Sequence, residues 1–155
     1  MATEIGYKWA NRFLEVARLV ASWSKDPSTK VGSIAIGDAK SIVAEGYNGL
    51  PRGVKDLPER FERPQKYDWT LHAEANVVAH AARQVLAGST VYVTHCCCAQ
   101  CAALLINAGV AGVIVDGTTK TNMPPEKFEI AKLMFREAGV SFIEMTAEQM
   151  NAQRS

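Results

Sequence analysis

The feature that most constrains the fold is a regular alternation of helical and strand-like segments that begins at Leu71. The segments are helix 72–86, strand 90–95, helix 98–108, strand 111–116, helix 124–138 and strand 140–144. Strands that alternate with helices in this way are joined by crossover connections and lie parallel. Gly88, Gly109 and Gly139 follow the three helices, where a left-handed cap is favoured. The second half of the chain therefore predicts a parallel sheet covered by helices.

The first half of the chain predicts an antiparallel start to the same sheet. Residues 5–23 place apolar side chains at spacings of three and four, which is typical of an amphipathic helix on a core. Two strand-like segments, 31–36 and 41–47, flank a short turn that favours a hairpin. We therefore predict an α/β fold with a mixed five-stranded sheet, in which the first two strands are antiparallel and the rest largely parallel.

Length and charge narrow the class of protein. A chain of 155 residues is the size of one domain, here 1–155 with a short polar tail at 146–155. The formal net charge of +1 gives no general attraction to nucleic acid or to a membrane surface. No stretch has the length of a membrane span, and the N-terminus carries charges where a signal peptide would be apolar. We expect a cytoplasmic protein that binds a small ligand or a protein partner.

Two short motifs carry the chemistry, His72-Ala73-Glu74 and Cys98-Ala99-Gln100-Cys101. His72, Cys98 and Cys101 supply three metal ligands, and a catalytic zinc keeps three protein ligands and leaves its fourth position to water. Glu74 is then the natural base for that water. His72 and Glu74 can converge only beyond a helix end, so the zinc is predicted off the N-termini of two neighbouring helices, at the carboxyl edge of the parallel strands.

Each motif alone has other interpretations. A Cys-x-x-Cys pair after a strand could be a thioredoxin-like redox pair, and a zinc with a fourth protein ligand would be structural. His80 lies about two helical turns beyond His72 and is expected on the surface or in packing. His95 borders the site, either touching substrate or bonded to backbone at the strand end. The combination of both motifs in successive strand-helix units favours catalytic zinc.

The two motifs resemble the zinc nucleobase deaminase signature, His-x-Glu followed by Pro-Cys-x-x-Cys. Within that superfamily the sequence is most similar to the deoxycytidylate (dCMP) deaminase family. The residues that carry the likeness are Asp26-Pro27-Ser28-Thr29-Lys30-Val31-Gly32, Gly46-Tyr47-Asn48-Gly49-Leu50-Pro51-Arg52-Gly53, His72-Ala73-Glu74-Ala75-Asn76 and Val91-Tyr92-Val93-Thr94-His95. The resemblance implies a three-layer α/β/α cytidine-deaminase-like fold and one zinc ion per chain.

The resemblance also implies a reaction and a set of substrate contacts. A zinc-bound hydroxide would attack the amine-bearing carbon of dCMP, and Glu74 would shuttle protons to give dUMP, which supplies thymidylate synthesis. The backbone of Ala73 would bind the ring carbonyl, the Thr94 carbonyl region would face the amine, and Asn48 would bind the sugar hydroxyl. The candidates for the 5′-phosphate are Ser28, Thr29 and Lys30.

Two further expectations follow from the resemblance. Cys97 stands where the family has proline before the first cysteine ligand, which offers a competing thiol beside the site. Many dCMP deaminases are hexamers regulated by dCTP as activator and dTTP as inhibitor. The candidate effector-site residues are Gly46, Tyr47, Asn48, Gly49, Arg52 and Gly53. They begin a long connection, 48–71, whose mixed charges are also typical of a solvated surface.

Two alternatives to a dCMP deaminase remain open. One is another nucleoside, nucleobase or tRNA deaminase on the same scaffold, although the near-neutral charge disfavours a tRNA enzyme. The other is a nucleotide-binding regulator without turnover, which the presence of Glu74 and all three ligands disfavours.

Overall fold

A five-stranded mixed sheet forms the centre of the fold in the computed structural model, which describes residues 6–151. The strands are β1 (Gly32–Ile36), β2 (Ile42–Tyr47), β3 (Thr90–Val93), β4 (Gly112–Asp116) and β5 (Ser141–Met145), in the spatial order β2-β1-β3-β4-β5. β1 pairs antiparallel with both β2 and β3, whereas β3–β4 and β4–β5 are parallel. The predicted mixed sheet with an antiparallel start is confirmed.

Helices cover both faces of this sheet. Within the described residues they are α1 (Gly6–Ala21), α2 (Lys66–Trp69), α3 (Ala73–His80), α4 (Arg83–Leu86), α5 (Ala99–Asn107), α6 (Pro125–Glu137) and α7 (Ala147–Asn151). The apolar stripe of α1 packs on one face, where the Phe13 ring centroid lies 5.0 Å from that of Tyr92. Helices α3, α5 and α6 bury their apolar sides on the other face, around Val91, Val93 and Val113. The layers are thus α/β/α, as predicted. None of these helices is long and apolar enough to span a membrane.

Two glycines let helices lie unusually close to the sheet. A Cβ atom at Gly32 in β1 would lie 2.0 Å from the Ala17 carbonyl oxygen of α1. A Cβ atom at Gly46 in β2 would lie 2.4 Å from the Ala73 carbonyl oxygen at the start of α3. Real side chains do not tolerate such contacts with backbone, so these positions require glycine for packing.

The predicted helix 72–86 is wrong in its middle. The chain leaves helical geometry at Ala81, with φ −129° and ψ 149°, and forms α3 and α4 on either side. Contacts with distant segments stabilise the break: His80 Nδ1 lies 2.7 Å from the Glu45 carbonyl, and Arg83 donates to the Asn107 carbonyl at 3.2 Å. These tertiary contacts override the helical preference of the local sequence.

The long connection is closed at its base and partly ordered inside. Gly49 and Leu71 exchange two backbone hydrogen bonds, of 3.1 and 2.8 Å, so its two ends lie side by side. A short 3₁₀ helix, Pro58–Phe61, and α2 lie between them.

The predicted polar tail begins with a helix. In α7 the Gln149 N–H donates to Thr146 Oγ1 at 3.2 Å, and the Thr146 N–H donates to Gln149 Oε1 at 2.9 Å. This reciprocal pair is a capping box. Met150 is buried in the core cluster of α1. Residue 5 of the predicted first helix and residues 152–155 of the predicted tail lie outside the described range.

Candidate metal centre and its surroundings

The two chemical motifs lie at the starts of two helices on the same face of the sheet. His72 is the N-cap of α3, and Cys98 is the N-cap of α5, where its Sγ accepts the Cys101 N–H at 3.5 Å. β3 ends at Val93, so Cys98 begins α5 just beyond the carboxyl end of that strand. The placement predicted from the positions of His72 and Glu74 is therefore what the chain adopts.

Three side-chain atoms converge at this edge. His72 Nδ1 lies 3.4 Å from Cys98 Sγ and 3.3 Å from Cys101 Sγ, and all three ligand atoms lie within 4.8 Å of one another. Tetrahedral zinc, with bonds of about 2.0–2.1 Å to nitrogen and about 2.3 Å to sulfur, separates its ligand atoms by about 3.5–3.8 Å. The donor types and spacings therefore fit zinc with three protein ligands. Within residues 6–151 these three residues form the one cluster of this kind.

The protonation of the two thiols is set by their contact with each other. The hydrogen bond from Cys101, aided by those from His72 and the Cys101 N–H, lowers the pKa of Cys98 to about 4 against the opposing effect of burial. The same hydrogen bond and burial raise the pKa of Cys101. The Cys98 hydrogen bond raises the pKa of His72, despite the opposing effect of burial. A bound dication favours the thiolate form of both cysteines and a neutral imidazole.

Glu74 is buried beside the three ligand residues, with 3% of its surface exposed. Burial raises the pKa of its carboxyl, and the charge of His72 partly opposes that shift. Glu74 lies in the first turn of α3, one residue beyond Ala73. The structure thus places one carboxyl group against the cluster.

The other two cysteines do not join the cluster. Cys97 is buried, and burial first, then the neighbouring Glu74 carboxylate, raises its pKa well above the ordinary value. Cys96 is half-buried, and burial also raises its pKa. All four cysteines are free, so the pairing of Cys98 with Cys101 involves no disulfide.

The two other histidines lie outside the metal cluster. His80 is bonded to the Glu45 carbonyl at the far end of α3. His95 Nδ1 lies 2.8 Å from Thr94 Oγ1, and burial lowers the His95 pKa. The Thr94 hydroxyl also accepts the Gly32 N–H at 3.1 Å, so Thr94 bonds β3 to β1 beside the site.

Asn48, predicted to bind the sugar, is held by the protein itself. Its Oδ1 accepts the Val31 N–H at 2.8 Å, and its Nδ2 donates to the Thr29 carbonyl at 2.8 Å. An amide oxygen has a second lone pair, so one acceptor position of Asn48 remains for a ligand. Lys30 is exposed, and its ammonium donates to the Ser24 carbonyl.

The glycine-containing run 46–53 has structural roles at several positions. Gly46 allows the close contact with α3. The Tyr47 carbonyl accepts from Asn76 Nδ2 at 2.7 Å, and the Tyr47 ring meets Trp23 edge-on. Gly53 has φ +86°, which favours glycine. Arg52 is exposed.

Sequence reasoning missed a buried ion pair next to the predicted substrate residues. Lys66 Nζ lies 2.9 Å from Asp26 Oδ2, with side chains 9% and 0% exposed. Asp26 also accepts from the backbone of Ser28 and Thr29, at 2.9 and 3.1 Å. The Asp-Pro-Ser order is a turn signal that could have drawn attention to Asp26. Lys66, in a mixed-charge run, carried no such signal.

Comparison with known proteins agrees with this geometry. The family model for the cytidine and deoxycytidylate deaminase zinc-binding region matches residues 7–116 of the sequence. These residues include β1 to β4 and both metal motifs. The chain belongs to the cytidine and deoxycytidylate deaminase family. It is therefore a zinc-dependent hydrolytic deaminase, and the zinc predicted from the two motifs is confirmed as its cofactor.

Relatives within this family include proteins from bacteria and mammals. An uncharacterised deaminase from the luxG 3′ region of Aliivibrio fischeri is 44% identical over 135 residues, covering 86% of this chain and 90% of the relative. The deoxycytidylate deaminase of Mus musculus is 36% identical over 145 residues, covering 90% of this chain and 80% of the relative. The predicted resemblance to dCMP deaminases is confirmed.

A solved structure has the same fold. The dCMP deaminase of the cyanophage S-TIM5, in complex with dCMP and dUMP, superposes with a TM-score of 0.69 at 26% identity. The match covers 86% of this chain and 94% of the phage chain.

Proposed function

We propose that this deaminase converts dCMP and water to dUMP and ammonia. The observation that carries the proposal is the convergence of His72, Cys98 and Cys101 with the buried carboxyl of Glu74 alongside. The mouse relative is a deoxycytidylate deaminase, and the phage relative of the same fold binds dCMP and dUMP. Both support dCMP as the first substrate to test.

In the proposed reaction Glu74 moves protons between the water and the base. Zinc held by His72, Cys98 and Cys101 would acidify a water molecule so that it acts as a nucleophile near neutral pH. Glu74 accepts the proton released by that water and delivers it to the ring nitrogen next to the reacting carbon. Glu74 then takes the remaining proton of the attacking hydroxyl and transfers it to the amine, which leaves as ammonia. Water supplies the oxygen of the new carbonyl, so atoms and charge balance.

The substrate contacts that we propose use groups at the rim of the site. The Ala73 N–H, in the first turn of α3, is one of the helix donors without an intrahelical partner and would bind the ring carbonyl. The Thr94 carbonyl region would face the amine. The free acceptor position of Asn48 would take a hydrogen bond from the sugar hydroxyl. Ser28, Thr29 and Lys30 would bind the 5′-phosphate.

A substrate panel tests the proposal. The zinc-loaded protein is incubated with dCMP, deoxycytidine, cytidine, CMP and guanine, and ammonia release and the base product are measured. We expect the highest kcat/KM with dCMP. A higher kcat/KM with any other compound would overturn the assignment of dCMP as the substrate, but the chain would still belong to the deaminase family. Protein stripped with a chelator and then reloaded with zinc is the control for metal dependence.

Regulation and assembly are further parts of the proposal. We expect a hexamer with one zinc per chain. We also expect dCTP to activate and dTTP to inhibit the enzyme by binding at the run Gly46–Gly53, where Arg52 supplies positive charge for the triphosphate. Turnover at sub-saturating dCMP, with and without each triphosphate, tests regulation, and light scattering after size exclusion tests the hexamer.

We also propose that residues 1–155 form one deaminase domain that works in the reducing cytoplasm, where four free thiols persist.

A further inference from the structure

The Asp26 carboxylate is the centre of a buried polar cluster next to the proposed sugar and phosphate contacts. Its Oδ1 accepts the N–H groups of Ser28 and Thr29, at 2.9 and 3.1 Å, and the Ser28 hydroxyl at 3.0 Å. Its Oδ2 accepts from Lys66 at 2.9 Å and faces Asn48 Nδ2 at 3.5 Å. The carboxylate therefore shapes the 28–29 turn and borders the Asn48 side chain.

Among the described residues, 6–151, Lys66 is the one cation that pairs with Asp26, and it comes from another part of the chain. It begins α2, inside the long connection that Gly49 and Leu71 close. Within residues 6–151 it is the one buried Lys or Arg, and its ammonium also donates to Ser28 Oγ at 3.2 Å. A lysine ammonium group is seldom buried unless its charge is paired, so the ion pair with Asp26 explains the burial of Lys66.

The ion pair also explains how Asp26 remains charged without solvent. A fully buried carboxylate is strongly disfavoured unless a cation and hydrogen-bond donors compensate for the lost water. Without the Lys66 ammonium, Asp26 would take up a proton or draw in water. Either change alters the group that accepts the hydrogen bonds of the Ser28 and Thr29 amides. The Thr29 carbonyl, which accepts from Asn48 Nδ2, would move with this turn.

We propose that Lys66 is a positioning residue for substrate binding, acting through Asp26 on Asn48 and on the turn at Ser28 and Thr29. The inference rests on the proposed function for what these residues bind. Lys66 holds the long connection against the rim of the site, while the ligands and Glu74 belong to α3 and α5. Loss of the ion pair therefore weakens substrate binding and leaves the chemical step in place.

The test is a comparison of Lys66→Met with a matched surface variant, Lys25→Met. Lys25 precedes Asp26 and pairs with Asp56 of the same connection, but its side chain is 71% exposed. We expect Lys66→Met to raise KM for dCMP by about tenfold or more, since misplaced contact groups carry penalties of that size. The kcat per zinc-loaded chain and the zinc content stay within about twofold. Lys25→Met changes neither KM nor kcat.

A second pair of variants covers the case in which Lys66→Met does not fold. Asp26→Asn combined with Lys66→Met removes both charges, so no buried charge is left without a partner. We expect the double variant, compared directly with wild type, to raise KM for dCMP by about tenfold or more while kcat stays within about twofold. Where Lys66→Met also folds, the double variant should raise KM by less than the product of the two single effects. A multiplicative effect, or a KM within about twofold of wild type in Lys66→Met or in the double variant, would overturn the proposal.

Amide hydrogen exchange separates this inference from the proposed function. In Lys66→Met the Ser28 and Thr29 amides should exchange at least about tenfold faster than in wild type, while α3 and α5 remain protected. This readout needs no substrate, so it holds even if wild-type protein does not deaminate dCMP, a result that would count against the proposed function alone. Unchanged exchange of both amides in Lys66→Met would overturn the positioning role.

Discussion

Gly46 and Ala73 are in such close contact that a Cβ atom at position 46 would lie 2.4 Å from the Ala73 carbonyl oxygen. Ala73 separates His72 from Glu74, so the edge strand β2 sets the position of the helix start that carries both residues. A glycine far from the metal ligands in sequence thereby controls the geometry of the site.

The first prediction is that Gly46→Ala is destabilising and impairs catalysis. The added methyl group meets backbone, which cannot move aside as a side chain can, so we expect a loss of at least about 1–3 kcal/mol in the free energy of unfolding. Displacement of α3 should also lower kcat by about tenfold or more. Urea denaturation and steady-state kinetics measure the two effects. Gly49→Ala is the stability control, because no atom lies within 4 Å of its added Cβ. Equal stability of the two variants would contradict the packing role of Gly46.

The second prediction concerns Glu74→Gln. The amide keeps the shape of the side chain but cannot accept and return protons, so kcat should fall by about 10²–10⁴-fold or more. Zinc content should remain that of wild type, because Glu74 is outside the ligand set. Metal analysis of the same preparations used for kinetics provides the check. Retention of wild-type turnover would remove Glu74 from the proton transfers.

The third prediction separates a ligand cysteine from its neighbour. Cys98→Ser should lose most of its zinc on dialysis, since the Cys98 thiolate supplies one of three protein ligands. Cys96→Ser, two residues away and outside the cluster, should keep about one zinc per chain. Atomic absorption on dialysed protein measures both. Loss of zinc from Cys96→Ser alone would show that the ligand register is wrong.

The fourth prediction is a dependence of stability on pH that arises at Asp26. Burial opposes ionisation of this carboxyl, but hydrogen bonds from Lys66, Ser28 and Thr29 outweigh it and hold its pKa below the ordinary value. Because the pKa is lowered on folding, the stabilisation is present above the unfolded value of about 3.9 and is lost as the pH falls through the folded value. At pH 7, Asp26→Asn should cost about 3–5 kcal/mol, as it leaves Lys66 unpaired. The difference in the free energy of unfolding between wild type and Asp26→Asn should become smaller as the pH falls below about 4. Urea denaturation from pH 3 to pH 7 measures this difference, and a constant difference would contradict the prediction.

The fifth prediction is that Cys97→Pro is tolerated. Among the hydrogen bonds of residues 6–151, none uses the Cys97 backbone N–H, so proline removes no backbone hydrogen bond there. Cys97 precedes the N-cap of α5, outside the helix. We expect unchanged zinc content, kcat within about twofold and a change of less than about 1 kcal/mol in stability. A loss of zinc in this variant would assign the Cys97 thiol a part in metal binding.

The metal site was predictable because its constraints are local. Three positions, His72, Cys98 and Cys101, follow from the number of ligands that catalytic zinc requires and from helix starts that strand–helix alternation reveals. The capping box that begins α7 is equally local, because it needs only Thr146 and Gln149, whereas the polar composition of residues 146–155 predicts a tail without a helix.

The remaining features depend on contacts between distant residues. Lys66 sits in the same mixed-charge run as Arg63, and only its partner 40 positions away distinguishes the buried residue from the exposed one. The break after His80 depends likewise on carbonyl groups at Glu45 and Asn107. Local propensity contains no information about such partners.

The paired backbone hydrogen bonds between Gly49 and Leu71 have a consequence for how this scaffold can diversify. They hold the two ends of the connection together, so the distance from Asn48 to His72 does not depend on how much chain lies between them. Lengthening an exposed loop costs only about 0.6 kcal/mol for each doubling. The stretch between Pro51 and Lys66 could therefore accept inserted segments, for instance new surfaces for assembly or control, without any change in the reacting groups.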